Sequence, residues 1–397
     1  MTLTRYVAVV AALLLVLAAC STAAPTTAPG SPTGSPSASG SAAATGSPAD
    51  DELVVGISWN NYDQPRWACC DAPGIKEVVE AAGGRVIETV AANSTEIQLS
   101  NIDGLIAQGM DVLILLAKDP DAMQAKLDEV KGLGIPIIGY DRLVEDEEVF
   151  YITFDNQGVG RIMAETLTAL VPEGNYAIIK GHSADPNADF LRAGMTPILE
   201  AHPGITIPDG CEDYSDNWNT ENARNNMVAC LGATNNDIQA VLSENDSMAG
   251  GVIAALEEVG LDIPVSGQDG DIAALHRVAL GTQTVSVWKD SFELGKVAGA
   301  VAVQLYNGTA FEDVSVADVD SADYAQPPAG SDAVEFTTPG GNTVWSITLN
   351  PNPVTIANLN EPIDSGWADA AQPGDVEGDG KAFICEGVDA AAVPACE

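Results

Sequence analysis

The sequence predicts two doubly wound, Rossmann-like α/β lobes joined by a hinge of three strands. Three observations lead to this fold class. From residue 53 onward, short apolar runs alternate with amphipathic helical segments. The apolar runs are continuous, which is typical of parallel strands that helices cover on both faces. The alternation starts afresh after residue 154, and a late helix near residue 292 follows the second series.

The first lobe is predicted from the segments between residues 51 and 154. One helix places Ile75, Val78, Val79 and Ala82 on a single face, and Gly83 follows as a left-handed stop. The strands of this lobe are short and apolar, and they cover residues 53–57, 112–116, 136–140 and 149–154. Helices between such strands give a parallel sheet that is buried on both faces.

The second lobe repeats this rhythm, with strands at Tyr176–Lys180 and Ala240–Ser243. The helix Phe292–Tyr306 comes after it, and we expect that helix to pack on the first lobe. The chain should therefore cross between the lobes three times, near residues 155, 287 and 350. The predicted division is a signal peptide at 1–20, a tether at 21–50, a first lobe of 51–154 plus 288–310, a second lobe of 155–287 plus 333–371, and a polar C-terminal tail at 372–397.

The N-terminus is predicted to be a targeting segment. Arg5 precedes the apolar run Val7–Leu17, which is too short for a typical membrane span. The run ends in Ala18, Ala19 and Cys20, which looks like a bacterial lipobox, where cleavage precedes lipidation of the cysteine. An ordinary signal peptide with an incidental cysteine is the alternative. The Ser-, Thr-, Ala-, Pro- and Gly-rich run that follows is predicted to be a disordered tether. We therefore expect an extracytoplasmic protein that a lipid anchors to the cell membrane.

The charge of the chain excludes some partners. Lys and Arg number 16 against 57 Asp and Glu, so the formal net charge is -41. Nucleic acids and anionic lipid headgroups both depend on basic side chains for affinity. We therefore expect no nucleic-acid partner and no membrane contact besides the lipid anchor.

The remaining six cysteines favour disulfides, because their number is even and the compartment is oxidising. Cys211 with Cys230, and Cys385 with Cys396, would each close a short local loop. Cys69 and Cys70 are then left as neighbours, either in a vicinal disulfide or as two thiols. Histidines are scattered and no CxxC pair occurs, so no metal site is predicted.

Polar and aromatic side chains follow the predicted strands at the points where these end. In open parallel sheets, ligands bind beyond the carboxyl ends of the strands. Planar carboxylate, amide and guanidinium groups can form paired hydrogen bonds with adjacent sugar hydroxyls. An indole ring can pack against the apolar face of a pyranose. The pattern predicts a sugar site, and its candidate residues include Asn60, Arg66, Trp67, Asp141, Arg142, Asp185, Asn187, Asn245, Asp269, Trp288 and Lys289.

Residues 53 to about 370 resemble the type I periplasmic binding proteins, especially the xylose-binding branch and its galactose- and glucose-binding relatives. Seven runs occur in the family's order across the folded region. They are RW at 66–67, GYDRL at 139–143, FDNQGVG at 154–160, DPNADF at 185–190, NDSMAGG at 245–251, SGQDGD at 266–271 and GTQTVSVWK at 281–289.

This resemblance implies a monomeric, non-enzymatic receptor without a cofactor, which delivers a monosaccharide, xylose first, to an ABC permease. The residues that it implies as ligands are Arg66, Asp141, Arg142, Asp185, Asn187, Trp218, Asn245, Asp269 and Lys289. Trp218 is expected to stack on the sugar. Two departures from the family pattern lie near the site, namely Pro186 and the pair Cys69–Cys70.

Several of these residues have structural alternatives. Asn60, Trp67 and Trp288 could line the cleft or pack in the core. Asn245 is predicted as a ligand, whereas Asp246 is predicted to cap the helix that follows. At the level of function, a receptor that reports to a chemoreceptor or sensor kinase is the alternative. A glycoside hydrolase is a less favoured alternative, although such enzymes also place paired carboxylates across a cleft.

Overall fold

The computed structural model describes residues 52–317, 332–370 and 380–397. The predicted signal peptide, Cys20 and the tether lie outside the described residues. In chain order the strands are β1 Val54–Trp59, β2 Arg85–Val90, β3 Val112–Leu115, β4 Ile137–Tyr140, β5 Val149–Phe154, β6 Gly174–Lys180, β7 Ile205–Thr206, β8 Glu212–Tyr214, β9 Ala240–Ser243, β10 Ser266–Asp269, β11 Val285–Trp288, β12 Val334–Thr337, β13 Thr343–Leu349 and β14 Asn352–Val354.

The α-helices are α1 Ala72–Ala81, α2 Thr95–Ala107, α3 Pro120–Gly132, α4 Asn156–Leu170, α5 Pro186–Glu200, α6 Thr220–Thr234, α7 Asp246–Glu258, α8 Ile272–Leu280, α9 Ser291–Tyr306, α10 Asn360–Asp364, α11 Trp367–Ala370 and α12 Gly380–Ile384. Helices and strands alternate through both halves of the chain, as the sequence predicts.

The first lobe is built on a seven-stranded sheet in the order β12-β13-β5-β4-β3-β1-β2. Its strands are parallel apart from β12, which runs antiparallel to β13. Apolar residues of α1 and α9 pack on one face of this sheet. Those of α2 and α3 pack on the other face. The sheet is therefore covered on both sides, as its continuous apolar strands require.

The strands of residues 333–349 correct one predicted boundary. We assigned this stretch to the second lobe, but β12 and β13 belong to the first sheet. Ser346–Leu349 pairs in parallel with Tyr151–Phe154 of β5. This pairing supplies hydrogen-bond partners to backbone groups on the outer side of β5 that would otherwise lack them. Only the chain beyond residue 350 continues into the second lobe.

The second lobe is organised around β6, which pairs with β7 and β8 on one side and with β9 on the other. A bridge between Val241 and Val265 connects β9 to the strand series β10-β11-β14. Residues from α4, α5, α6 and α7 bury the largest apolar cluster of the lobe against these strands. The architecture repeats that of the first lobe, as expected.

The chain crosses between the lobes three times, as predicted: between β5 and α4, between β11 and α9, and between β13 and β14. After the second crossing, α9 packs on α1 in close contact. A side chain at Gly74 would place its Cβ 2.5 Å from the carbonyl oxygen of Phe292, so only glycine allows this approach. The contact fixes α9 to the first lobe.

The C-terminal segment is more than the loosely tied tail that we predicted for residues 372–397. Of this stretch, residues 380–397 are described. Ile384 is buried at the end of α12, and its carbonyl oxygen lies 3.0 Å from Nδ1 of His276 in α8. Just before this stretch, in the predicted second lobe, the Trp367 indole donates to the Gly270 carbonyl at 2.7 Å. The few apolar residues of this C-terminal segment therefore pack against the second lobe.

All six cysteines of the described chain are paired. The predicted disulfides Cys211–Cys230 and Cys385–Cys396 are confirmed. Of the two alternatives left open for Cys69 and Cys70, the structure has the vicinal disulfide. In the part of the chain that the structure describes, no helix is both long and apolar enough to span a bilayer.

Candidate functional site

A small cavity lies where the carboxyl ends of the strands of both lobes meet. Its volume is about 30 Å³, room for two or three water molecules at about 10–15 Å³ each. All nine residues that the family resemblance implies as ligands line this cavity. With them stand Gln64, Trp67 and Gln268, so that the full lining is Gln64, Arg66, Trp67, Asp141, Arg142, Asp185, Asn187, Trp218, Asn245, Gln268, Asp269 and Lys289. We call these twelve residues the cleft ring.

Arg66 is held in place from within the first lobe. Its Nε and Nη2 donate to the two oxygens of Asp71 at 3.1 and 2.9 Å. The Tyr140 hydroxyl donates to the same carboxylate at 2.5 Å. Burial raises the pKa of Asp71 to about 6, although Arg66 lowers it. The Arg66 guanidinium also lies 4.2 Å from the centre of the Trp67 ring. These contacts leave Nη1 of Arg66 as the nitrogen that faces the second lobe.

Arg66 and Asp141, both of the first lobe, each contact a residue of the second lobe across the cleft. Nη1 of Arg66 lies 3.1 Å from Asp141 and 3.5 Å from Asp269 of the second lobe. Burial by itself lowers the pKa of Arg66, but the carboxylates Asp71 and Asp141 raise it well above its usual value. The Asn187 amide donates to both the side chain and the backbone carbonyl of Asp141 at 3.1 Å. Arg66 therefore stays charged and links both lobes.

Arg142 and Asp185 form another contact across the cleft. Nε of Arg142 lies 2.7 Å from Oδ2 of Asp185, with both side chains almost fully buried. Asp185 is also the N-cap of α5, since its other oxygen accepts from the Asn187 backbone N–H at 3.1 Å. Pro186 takes the first helical position, where a backbone N–H is not needed. This departure from the family pattern therefore leaves Asp185 and Asn187 at the cavity.

Trp218 presents its indole to the cleft from the turn before α6. The indole N–H donates to Oδ2 of Asp185 at 3.0 Å. The ring lies directly against Gly181, where an added Cβ would come within 2.3 Å of it. A side chain at position 181 would displace the indole. Glycine there and the carboxylate of Asp185 together fix the ring plane.

Asn245 corrects our assignment of the helix cap. Its Oδ1 accepts from the Met248 backbone N–H at 2.9 Å, so Asn245, not Asp246, caps α7. Its amide nitrogen remains directed to the cleft and donates to Gln64 of the first lobe at 2.9 Å. Asn245 therefore carries out both the structural role and a cleft contact.

Lys289 lies at the second crossing between the lobes and donates to the side-chain Oδ1 of Asn156 at 2.7 Å. Asn156 in turn donates to Asn187 at 2.9 Å. Burial lowers the pKa of Lys289, while Asp141 and Asp269 counteract this. The lysine thus links the second crossing to the start of α4, at the first crossing.

Two candidate residues do not line the cavity. Trp288 packs beside Trp367, with ring centres 5.8 Å apart, in an apolar cluster of the second lobe. Asn60 is buried and accepts the Asn61 backbone N–H at 2.7 Å. Trp67, by contrast, does line the cavity. Packing explains the position of the Trp288 side chain, and a local hydrogen bond explains that of Asn60.

Two residues of the site escaped the sequence reasoning. Gln64 lines the cavity, and Asp71 positions Arg66 from behind. Gln64 lies two residues before Arg66, so proximity to a predicted ligand was a usable signal. Nothing in the sequence marks Asp71, because its partner contacts depend on the turn of chain before α1.

Lys118 and His182 meet across the cleft beside the ring. Nζ of Lys118 in the first lobe lies 2.5 Å from Nε2 of His182 in the second. Burial lowers the pKa of His182, and Lys118 and Arg142 lower it further. Lysine is the donor here, so the histidine accepts as a neutral ring. The described residues contain no group of three or more side chains suited to hold a metal ion.

Comparison with known proteins agrees with this architecture. Residues 55–310 match the family described as periplasmic binding protein domain. The D-xylose-binding periplasmic protein of Escherichia coli is 36% identical over 261 residues, which is 65% of this chain and 79% of that protein. The protein of the same name from Haemophilus influenzae is 33% identical over 267 residues, 66% of this chain and 80% of that protein.

A solved structure shows the same fold. The solute-binding protein of an ABC transporter from Clostridium phytofermentans, with bound β-D-glucose, superimposes with a TM-score of 0.69 at 26% identity. The match covers 82% of this chain and 99% of that one. These relatives are solute-binding proteins and not enzymes. This chain therefore belongs to the periplasmic binding protein domain family.

Proposed function

We propose that this protein is the extracytoplasmic receptor of an ABC importer and that it binds a monosaccharide, D-xylose first, between its lobes. The observation that carries the proposal is the convergence of nine predicted ligand residues around one cavity that both lobes line. Carboxylates, amides and guanidinium groups stand there beside the indole rings of Trp67 and Trp218.

The cross-cleft contacts explain how such a site would select a sugar. Arg142 faces Asp185, and Asn245 faces Gln64. A bound sugar would take the place of these partners, since each hydroxyl both donates and accepts. Each polar group that a ligand left buried and unpaired would cost about 1–3 kcal/mol. Only a ligand with several suitably placed hydroxyls satisfies so many groups at once.

D-xylose is preferred among monosaccharides because the relatives with the highest identity reported above bear that name. The glucose-bound neighbour is a more remote likeness. The two departures that we noted near the site do not disturb it, since Pro186 fits the helix start and the disulfide Cys69–Cys70 lies outside the cavity lining.

In the proposed mechanism, sugar held on one lobe stabilises the closed form by recruiting groups of the other lobe. The three crossings would act as the hinge, so that the lobes move as rigid bodies. An ABC permease would then recognise the closed form of a monomer. A sensor receptor would use the same closure, and the two roles are compatible.

The lipid anchor belongs to this proposal. Lipidation at Cys20 would attach the protein to the outer face of the membrane, and residues 21–50 would form its tether. Labelling with a radioactive fatty acid in an expressing bacterium should mark the wild-type protein. Cys20→Ala should lose the label, whereas label retained on that variant would contradict the anchor.

A thermal-shift screen of residues 51–397 tests the ligand class. D-xylose, D-glucose, D-galactose and myo-inositol form the panel, with amino acids as controls. At a 100-fold excess of sugar over Kd we expect about 2.7 kcal/mol of stabilisation. Stabilisation by an amino acid, without any by a monosaccharide, would overturn the proposal.

A further inference from the structure

Gln268 occupies a particular position in the cleft ring. It lies at the end of β10, directly before Asp269, and its side chain is 3% exposed. Successive residues of a strand point to opposite faces. The backbone leaves the extended conformation at Asp269, where φ is 100°, and both consecutive side chains line the cavity.

The amide oxygen of Gln268 is buried, and no described residue donates a hydrogen bond to it. Gln283, a buried glutamine of the same lobe, shows the ordinary situation. Its oxygen accepts from Arg277 at 3.0 Å, and its nitrogen donates to Asp246 at 2.7 Å. Because a buried acceptor without a donor destabilises a fold, such a group calls for an explanation.

We propose that Gln268 is a specificity-determining residue of the sugar site, whose Oε1 accepts a hydrogen bond from one hydroxyl of the bound monosaccharide. This inference rests on the proposed function. The hydroxyl would be the one next to that bound by Asp269, since the two side chains are consecutive. A ligand without this hydroxyl would leave the oxygen unpaired in a closed site, and sites built to bind a hydroxyl strongly reject analogues that lack it.

The test is a titration of Gln268→Met with D-xylose and its 2-, 3- and 4-deoxy analogues by calorimetry. Methionine keeps the length of the side chain and removes the acceptor. We expect D-xylose to bind about tenfold more weakly, the loss of one hydrogen bond. One deoxy analogue should bind the wild-type protein more weakly than D-xylose does. The same analogue and D-xylose should bind Gln268→Met with equal affinity. Without sugar, the melting temperature should stay equal or rise, because an unpaired buried acceptor is gone.

Gln283→Met is the matched control, since this glutamine lies in the same lobe but outside the cavity lining. It should lower the melting temperature and keep the wild-type pattern among the deoxy analogues. Wild-type affinities in Gln268→Met would overturn the inference, and so would an equal loss for every analogue. Failure of the wild-type protein to bind any sugar of the thermal-shift panel would instead overturn the proposed function. If that panel identifies another monosaccharide, its own monodeoxy series replaces that of xylose.

Discussion

The molecule has two clusters of buried polar residues near strand ends. One is the cleft ring. The other, which we call the Asp246 network, comprises Asp246, Arg277, Gln283 and Ser286 together with the backbone N–H groups of Gly270 and Asp271. Both combine the same residue types, namely aspartate, arginine and glutamine, so residue type does not distinguish them.

The two clusters differ in whether the hydrogen-bonded partners belong to one lobe or to both. In the Asp246 network the carboxylate accepts from Ser286 at 2.6 Å, from Gln283 at 2.7 Å and from two backbone groups at 3.0 Å, all in one lobe. In the cleft ring, Arg142 meets Asp185 and Asn245 meets Gln64 across two lobes. The proposed hinge motion would leave the first set intact and separate the second. The same residue types therefore stabilise a lobe in one place and are available to a ligand in the other.

The largest effect is expected from Asp246→Ala. The substitution removes one acceptor from four buried donors, and the free energy of unfolding should fall by about 3–5 kcal/mol. Urea denaturation of the protein without sugar measures this. A loss below about 1 kcal/mol would show that the Asp246 network is not the structural counterpart of the cleft ring.

Arg142→Ala should weaken sugar binding but hardly change the stability of the fold, the reverse of Asp246→Ala. Binding of the sugar should weaken by roughly 3 kcal/mol or more, because hydrogen bonds from a charged group are lost. The free energy of unfolding should change little, since solvent can reach Asp185 when the lobes separate. Calorimetric titration gives the affinity. Arg192→Ala is the control, because Arg192 pairs with Glu212 on the surface of the second lobe. Equal affinities of all three proteins would remove Arg142 from the site.

A smaller effect is expected from pH through His182. When the lobes close, its ring meets Lys118 and Arg142 of the first lobe, while Asp185 and Asp216 face it from its own lobe. Only the neutral ring can accept from Lys118, so closure lowers the pKa of His182 relative to the open form. A group whose pKa falls on closure stabilises the closed form above the open-form pKa, about 6.5 for histidine. That stabilisation is lost as the pH falls.

Sugar affinity should therefore be constant above about pH 7 and decrease below it, by at most about tenfold per pH unit. Titrations between pH 7.5 and pH 5.5 test this. His182→Gln keeps an acceptor for Lys118 and removes the titration, so its affinity should change less over the same range. An equal decrease in the variant would assign the pH dependence to another group, such as Asp71, whose pKa burial raises to about 6.

Much of the fold could be predicted, because apolar periodicity records which faces are buried. The three crossings followed from the order of the elements. We assigned β12 and β13 to the wrong lobe, because which lobe a late strand joins depends on a free sheet edge, here that of β5, which the sequence does not mark. The packing of the C-terminal segment was not predicted, since Ile384 is a buried apolar residue within an otherwise polar stretch.

The sequence predicted the site residues that belong to family motifs. It did not predict the residues whose contacts form only in the tertiary structure. The family runs point to Asp185 and Asn245, but not to Asp71 or to the pair of Lys118 and His182, which come together only when two lobes approach. Trp288 lies next to the predicted ligand Lys289, yet its side chain packs in the lobe. Position in sequence alone does not tell which of two neighbours faces the cleft.

A crystal structure of residues 51–397 with D-xylose tests the central claim most directly. We expect one sugar within the cleft ring, stacked on Trp218, with Arg142 and Asp185 bound to its hydroxyls in place of each other. The contacts of Asp246 with Ser286 and Gln283 should be unchanged. A sugar bound outside the cleft ring, or within it while the contact between Arg142 and Asp185 and that between Asn245 and Gln64 both persist, would contradict the account.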